Sequence, residues 1–139
     1  TPIAGYSYLR SEPTRMDVLH VCLNVPDADR LADWYVSQLG FERTSEFTTE
    51  DGETRNVYVA AGNGLELQLS DTDGAAEFEP GTAWDHLALG VDDVDAAVER
   101  IDTPAVVKEP GDQPAAGVRT AFIEDPDGHV IELIGTGDD

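Results

Sequence analysis

The chain contains an internal repeat of two segments that follow the same plan. His20 lies 46 residues before Glu66, and His86 lies 46 residues before Glu132, so a shift of 66 aligns both pairs. The same shift also aligns apolar and turn residues: Leu23 with Leu89, Val25 with Val91, Asp27 with Asp93, Val57 with Ile123, Gly62 with Gly128 and Leu67 with Leu133. Because solenoid repeats are roughly 20–50 residues long, this longer period predicts two modules and not an array.

Hydrophobic periodicity predicts the element order β-α-β-β-β in each module. In the first module it predicts strands at 18–25, 41–49, 54–61 and 65–70, with a helix capped by Asp27 or Asp29 and ended by Gly40. In the second it predicts strands at 85–91, 105–108, 118–123 and 130–134, a helix at 94–101 and a loop at 110–117. Asp51-Gly52 predicts a hairpin in the first module, and 125–128 a tight turn in the second.

The predicted organisation is an N-terminal arm at 1–16 and two modules at 17–71 and 82–135 that form one integrated domain. Each helix can cover the apolar face of its sheet, which leaves the opposite faces free. We therefore expect an α+β fold: two tandem βαβββ modules that form a curved, mostly antiparallel sheet trough, with the helices on its outer face.

The charge balance is strongly acidic, with 29 acids against 8 bases and a formal charge of −21. Such a surface repels nucleic acid and anionic membranes. It indicates a protein of a high-salt cytoplasm, where screening relieves self-repulsion; an unusually acidic protein of an ordinary cell is the alternative.

No apolar run approaches the roughly 18–20 residues of a membrane helix, so we expect a soluble cytoplasmic protein. The single cysteine, Cys22, excludes an internal disulfide and a thiolate zinc cluster.

Four polar side chains on the non-core strand faces predict a metal site. His20, Glu66, His86 and Glu132 supply two imidazoles and two carboxylates, which suit Ni, Co, Zn, Mn or Fe(II) and leave two coordination positions open. Taken singly, a histidine on a strand is usually a packing residue, and a glutamate between leucines usually faces water. The same pair in both modules favours the metal site.

Three other side chains near these positions have open roles. His129 follows the 125–128 turn and is interpreted as a loop residue beside the site. Cys22 is interpreted as a small buried filler, with an extra ligand as the alternative. Trp84 either lines a pocket or plugs the end of the sheet.

Several motifs resemble those of the vicinal oxygen chelate superfamily, and within it those of the glyoxalase I family. They are L-H-V-C-L-N-V-P-D, G-L-E-L-Q-L, D-H-L-A-L-G-V and E-D-P-D-G-H-V-I-E-L-I, and the resemblance covers about residues 17–135. It implies that His20, Glu66, His86 and Glu132 bind one divalent metal per site, with nickel or cobalt preferred over zinc. It also implies a homodimer whose sites are shared between chains.

The resemblance further implies a reaction that detoxifies methylglyoxal. A hemithioacetal of methylglyoxal and a thiol becomes a 2-hydroxyacyl thioester through a metal-chelated enediolate. Glu132 would be the main base, and Glu66 a ligand and possible second base. Two positions depart from the glutathione-using pattern, since Asn24 and Ser70 stand where those members have Arg and Asn. Another thiol, such as γ-glutamylcysteine, is therefore expected, with a different substrate altogether as the alternative.

Gln68 and Trp84 complete the candidate substrate contacts, together with Asn24 and Ser70. Two other function classes are alternatives. The first is another metalloenzyme of the superfamily, an epimerase or a ring-cleaving dioxygenase. Four protein ligands argue against the dioxygenase, and Glu66 against the epimerase, which typically has Gln there. The second alternative is a metal-free module that binds small molecules such as drugs.

Overall fold

The computed structural model describes residues 16–73, 78, 81–101 and 105–135. The chain divides into two compact units, Thr1–Phe78 and Glu79–Asp139. The predicted arm lies outside the described residues except for the exposed Met16, as does most of the predicted linker between the modules. No helix in the described ranges is long and apolar enough to cross a membrane.

The first unit has the predicted order β-α-β-β-β. Its elements are β1 (His20–Asn24), α1 (Ala28–Leu39), β2 (Glu42–Thr48), β3 (Thr54–Ala60) and β4 (Glu66–Thr72). The sheet order is β1-β4-β3-β2, with β1 parallel to β4 and the other pairs antiparallel. Gly52 turns the β2–β3 hairpin at a φ of 76°, which confirms the hairpin predicted at Asp51-Gly52.

Helix α1 begins and ends where the sequence predicts. The side chain of Asp27 caps its N-terminus by accepting a hydrogen bond from the backbone N–H of Arg30. Gly40 ends the helix at a φ of 72°, a left-handed conformation that glycine adopts without steric cost. Leu31, Trp34 and Tyr35 are buried at helical spacing. The strands supply the rest of this core, chiefly through Val57, Val59, Leu67 and Leu69.

The second unit repeats the order with β5 (Leu87–Gly90), α2 (Val94–Glu99), β6 (Val106–Gln113), β7 (Val118–Glu124) and β8 (Val130–Gly135). Its sheet order is β5-β8-β7-β6, and β5 is parallel to β8. The prediction of an α+β fold built from two mostly antiparallel βαβββ modules is therefore confirmed. The first strand of this unit is shorter than predicted, so Asp85 and His86 lie just before β5 and not within it.

The loop predicted at 110–117 is wrong in its first half, because β6 continues through Pro110 and Gly111 to Gln113. Strand β6 is at the edge of its sheet, and an edge strand tolerates proline because only one side of it must supply ladder hydrogen bonds. Its register against β7 shifts twice between Val106 and Gly111. Only the turn that follows Gln113 remains as the loop.

Equal spacing in the sequence does not give equal register in the two sheets. In the first unit His20 pairs directly with Glu66, whereas in the second Glu132 pairs with Ala88, two residues after His86. Because this difference is an even number of residues, both acids still point to the face predicted for them. The alignment of Val57 with Ile123 does not hold in space either: Val57 pairs with Leu69, but Ile123 pairs with Ile131.

Candidate metal and catalytic site

In the second unit, the structure brings His86 and Glu132 together. His86 Nε2 lies 3.1 Å from Glu132 Oε1, and the two side chains are 32% and 17% exposed. The Phe122 ring, directly opposite Glu132 in β7, packs edge-on against the imidazole with ring centroids 5.8 Å apart. Both polar groups are thus held in place and remain accessible from solvent.

Asp85 contacts the other nitrogen of the same imidazole. Its Oδ1 lies 2.5 Å from His86 Nδ1. The hydrogen bond with Asp85 raises the pKa of His86 against the opposing effect of desolvation, and the charge of Glu132 raises that pKa further. Sequence reasoning missed Asp85, although its position next to a candidate ligand was a visible signal.

In the first unit, His20 and Glu66 lie side by side on β1 and β4, since they are register partners in a parallel pair. Glu66 is only 6% exposed, and the Thr44 hydroxyl donates a 2.5 Å hydrogen bond to its Oε2. The His20 ring packs edge-on against Tyr58 at 5.7 Å, and Phe47 stacks on the same tyrosine. Thr44 could not have been found from spacing, because it lies 22 residues from Glu66.

The candidate substrate residues of the first unit share the face of His20 and Glu66. Asn24 pairs with Ser70, and Gln68 pairs with Cys22. The Gln68 side-chain amide donates a 2.8 Å hydrogen bond to Asn56. Cys22 is exposed, so its interpretation as a buried filler is wrong; β1 is an edge strand of its sheet. Partial desolvation nevertheless raises the pKa of the thiol.

Trp84 lies against the turn that precedes β8. Its ring packs edge-on against the His129 ring at 5.6 Å, and its buried Nε1 has no hydrogen-bond partner in the described part of the chain. His129 Nδ1 contacts Asp125 Oδ2 at 2.8 Å, and both residues are buried. The hydrogen bond and charge of Asp125 raise the pKa of His129, although desolvation, the largest effect, acts in the opposite direction.

The donor atoms of the candidate ligands are of a kind that a divalent metal accepts. Within the described ranges, no group of three or more His, Cys, Asp or Glu side chains is arranged to hold a metal ion. Each unit instead supplies one imidazole and one carboxylate, a combination that borderline divalent metals accept. Glu66 carries a further sign of this fit, because a cation would offset the cost of its buried charge.

Comparison with known proteins identifies the family. Residues 17–133 match the model of the Glyoxalase/Bleomycin resistance protein/Dioxygenase superfamily. This match covers most of the chain, including both units and all four candidate ligands. The chain therefore belongs to this superfamily, and the resemblance noted in its motifs is confirmed.

Individual relatives narrow the similarity to glyoxalase I. The chain is 36% identical to the lactoylglutathione lyase of Haemophilus influenzae, with 86% of this chain and 92% of that protein covered. The structure of glyoxalase I from Zea mays matches with a TM-score of 0.78 and 28% identity over 87% of this chain, which spans less than half of the maize chain, 45%.

A third relative, a glyoxalase I from Leishmania major described as trypanothione-dependent, matches with a TM-score of 0.73 and 27% identity, covering 88% of both chains. The prediction of a lactoylglutathione lyase-like enzyme is confirmed by these similarities.

Proposed function

We propose that this chain is a metal-dependent lyase of the glyoxalase I type. It would convert the hemithioacetal of methylglyoxal and a small thiol into a 2-hydroxyacyl thioester. The observation that carries this proposal is the His/Glu pair in each unit, with His86 Nε2 3.1 Å from Glu132 Oε1 in the second. The relatives named lactoylglutathione lyase support the reaction class.

The metal would be held by the two imidazoles and two carboxylates of His20, Glu66, His86 and Glu132. When bound, a divalent ion would polarise the substrate oxygens and acidify the carbon–hydrogen bond next to them. We favour nickel or cobalt; zinc, manganese and iron also accept this donor set.

Glu132 is the better candidate for the base. Its side chain is 17% exposed, whereas Glu66 is 6% exposed and accepts a hydrogen bond from Thr44. In the proposed reaction Glu132 removes the proton from the carbon that bears the hydroxyl and the sulfur, which leaves an enediolate. The protonated carboxyl group then gives that proton to the neighbouring carbon, and the hydroxyl proton passes from the first oxygen to the second. The first carbon becomes the thioester carbonyl, the second bears the hydroxyl, and the base ends as it began. Glu66 is the second candidate.

The thiol would be one that needs no cationic contact at Asn24 or Ser70. Asn24 is uncharged where the glutathione-using pattern has Arg, so it cannot form an ion pair with a thiol's carboxylate. Ser70, its register partner across β1 and β4, has a shorter side chain than the Asn of that pattern. We propose a small thiol other than glutathione, such as γ-glutamylcysteine. The Leishmania major relative, described as trypanothione-dependent, supports variation of the thiol within this type of enzyme.

Glu132→Gln tests the reaction. The metal-loaded protein, in high salt, is given methylglyoxal and a series of thiols, and thioester formation is followed by ultraviolet absorbance. The amide cannot accept the proton, so we expect activity to fall by roughly 10²–10⁴-fold. Glu124→Gln is the matched control, an exposed glutamate on β7. Absence of activity with every thiol, or a fully active Glu132→Gln enzyme, would refute the proposal; no metal uptake at all would favour a metal-free binding module.

We further propose a homodimer in which each site takes the His20/Glu66 pair of one chain and the His86/Glu132 pair of its partner. His20→Gln and His86→Gln would each inactivate the protein when expressed alone. A co-refolded equal mixture should regain about a quarter of wild-type activity, because half of the dimers are mixed and one of their two sites is intact. Inactive mixed dimers, verified by two affinity tags, would show that each site belongs to one chain.

A further inference from the structure

The imidazole of His86 lies between two carboxylates that compete for its proton. Asp85 Oδ1 is 2.5 Å from Nδ1, and Glu132 Oε1 is 3.1 Å from Nε2. A neutral imidazole carries one N–H, so it can donate to only one of them. The shorter contact favours Nδ1 as the protonated nitrogen. The lone pair of Nε2 then points to the side where Glu132 lies.

A carboxylate that orients the ring matters more for His86 than for His20, because the backbone of His86 is less constrained. His20 is a strand residue whose backbone is fixed opposite Glu66. His86 lies one residue before β5, where the ladder with β8 has not yet begun. Leu19 precedes His20, so the acidic neighbour exists only in the second unit. Two residues before His86, Trp84 packs edge-on against the buried His129 ring.

We propose that Asp85 is a positioning residue, which holds His86 in the Nδ1–H tautomer so that Nε2 is available to a divalent cation. The inference rests on the proposed function, in which His86 is a metal ligand. It follows a general pattern, since a metal-binding histidine commonly donates its other N–H to a carboxylate, which fixes the orientation of the ring. The Asp85 side chain is 92% exposed, so as an ion pair alone it would contribute little.

Asp85→Ala tests this role in the full-length protein. Zinc affinity is measured by competition with a chromogenic chelator, and the His86 tautomer by nitrogen-15 NMR of the metal-free protein above the pH at which His86 titrates. We expect zinc binding to weaken about 10-fold, the low end for loss of such a carboxylate, because Asp85 is exposed. The tautomer should shift from Nδ1–H towards Nε2–H, since Glu132 becomes the remaining acceptor.

Asp92→Ala is the matched control, because Asp92 is exposed and its replacement removes the same charge. It should leave zinc affinity and tautomer unchanged, and thermal melts verify that both variants fold. Wild-type affinity or an unchanged tautomer in Asp85→Ala overturns the positioning role but leaves the proposed function intact. Failure of the wild-type protein to bind zinc, or equal binding by His86→Gln, overturns the proposed function and this inference with it.

Discussion

Among the single residues of the candidate site, Glu66 is the one at which burial of a charge costs the most free energy. The residue is 6% exposed, and an ionised carboxylate out of water is costly unless hydrogen bonds or a cation compensate it. The Thr44 hydroxyl supplies one such hydrogen bond, at 2.5 Å. Thr44 itself is exposed on β2, so its hydroxyl can be removed without opening a cavity in the core.

Thr44→Val should therefore reduce stability by about 1–2 kcal/mol in the metal-free protein, because it leaves a buried charged acceptor without one of its donors. Thr44→Ser keeps the hydroxyl and should stay near wild type. The free energy of unfolding from urea titration measures both. Thr48→Val, an exposed position on the same strand, controls for the β-propensity of valine. Equal losses at positions 44 and 48 would contradict this interpretation of the Thr44 contact.

His129 gives the second unit a pH-dependent contribution to stability. Its pKa in the folded state is raised above the ordinary value, with the hydrogen bond and charge of Asp125 outweighing desolvation. A raised folded pKa means that the contribution is fully present below the unfolded pKa, about 6.5. It is lost as the pH rises through the folded pKa. The His129–Asp125 pair should thus stabilise the fold under acidic conditions and not under alkaline ones.

His129→Gln should flatten that dependence. The difference in unfolding free energy between wild type and variant is measured from below pH 6 to above pH 8, and we expect it to shrink as the pH rises. His86 also has a raised pKa, but it is present in both proteins and its effect cancels in the difference. A difference that stays constant or grows with pH would show that His129 is not stabilised in its charged form.

At the scale of elements, both units use the same arginine arrangement to join helix and sheet. Arg55 of β3 forms two hydrogen bonds with Asp29 in the first turn of α1, at 2.6 and 3.0 Å, and contacts Glu46 of β2. Arg119 of β7 forms two with Asp95 of α2, at 2.7 and 3.0 Å, and one with Asp112 of β6. The four acids obey the 66-residue shift, Asp29 with Asp95 and Glu46 with Asp112. Bidentate geometry of this kind is specific to arginine.

Arg55→Gln and Arg119→Gln should each lower the thermal midpoint more than Arg30→Gln, an exposed arginine of α1. The two replaced side chains join a helix start to the sheet, whereas the Arg30 side chain forms no ion pair with the residues that the structure describes. Melting curves followed by circular dichroism measure the three midpoints at one salt concentration. If all three variants melt together, the paired arginines act only through net charge.

At the scale of the whole molecule, net charge is the dominant electrostatic property. With 29 acids against 8 bases, repulsion among carboxylates outweighs the attraction within the arginine clusters. Added salt should therefore stabilise this protein, although it weakens individual ion pairs, because screening acts on both and repulsive pairs are more numerous. The high-salt cytoplasm that the composition predicts would provide this screening, and it stays a prediction.

The thermal midpoint should thus rise as KCl increases from about 0.1 M to about 1 M, over which the screening length falls from about 10 Å to about 3 Å. NaCl at the same concentrations is the control, because screening depends on ionic strength and not on which monovalent cation is added. A protein fully stable without added salt, with a midpoint that does not change, would contradict the halophilic interpretation.

Much of the fold, and the placement of one His/Glu pair in each module, could be predicted from the sequence alone. Alternation and the 66-residue repeat identified the βαβββ order and the face on which each acid lies, and residue type limited the helix cap to Asp27 or Asp29. These features are predictable because strand parity and turn chemistry are local properties. The same locality explains the error at Pro110-Gly111. Those residues break most strands, and only the position of β6 at a sheet edge lets the strand continue.

The tertiary structure decided what depends on register and on distant contacts. It showed that His20 faces Glu66 directly while Glu132 faces Ala88, although the sequence spacings are equal. It also brought Thr44 to Glu66 and placed Asp85 against His86. Sequence determined which residues share a face, since that follows from a period of two along each strand. Which of them touch was decided by strand register and loop geometry, which are set only when the sheets form.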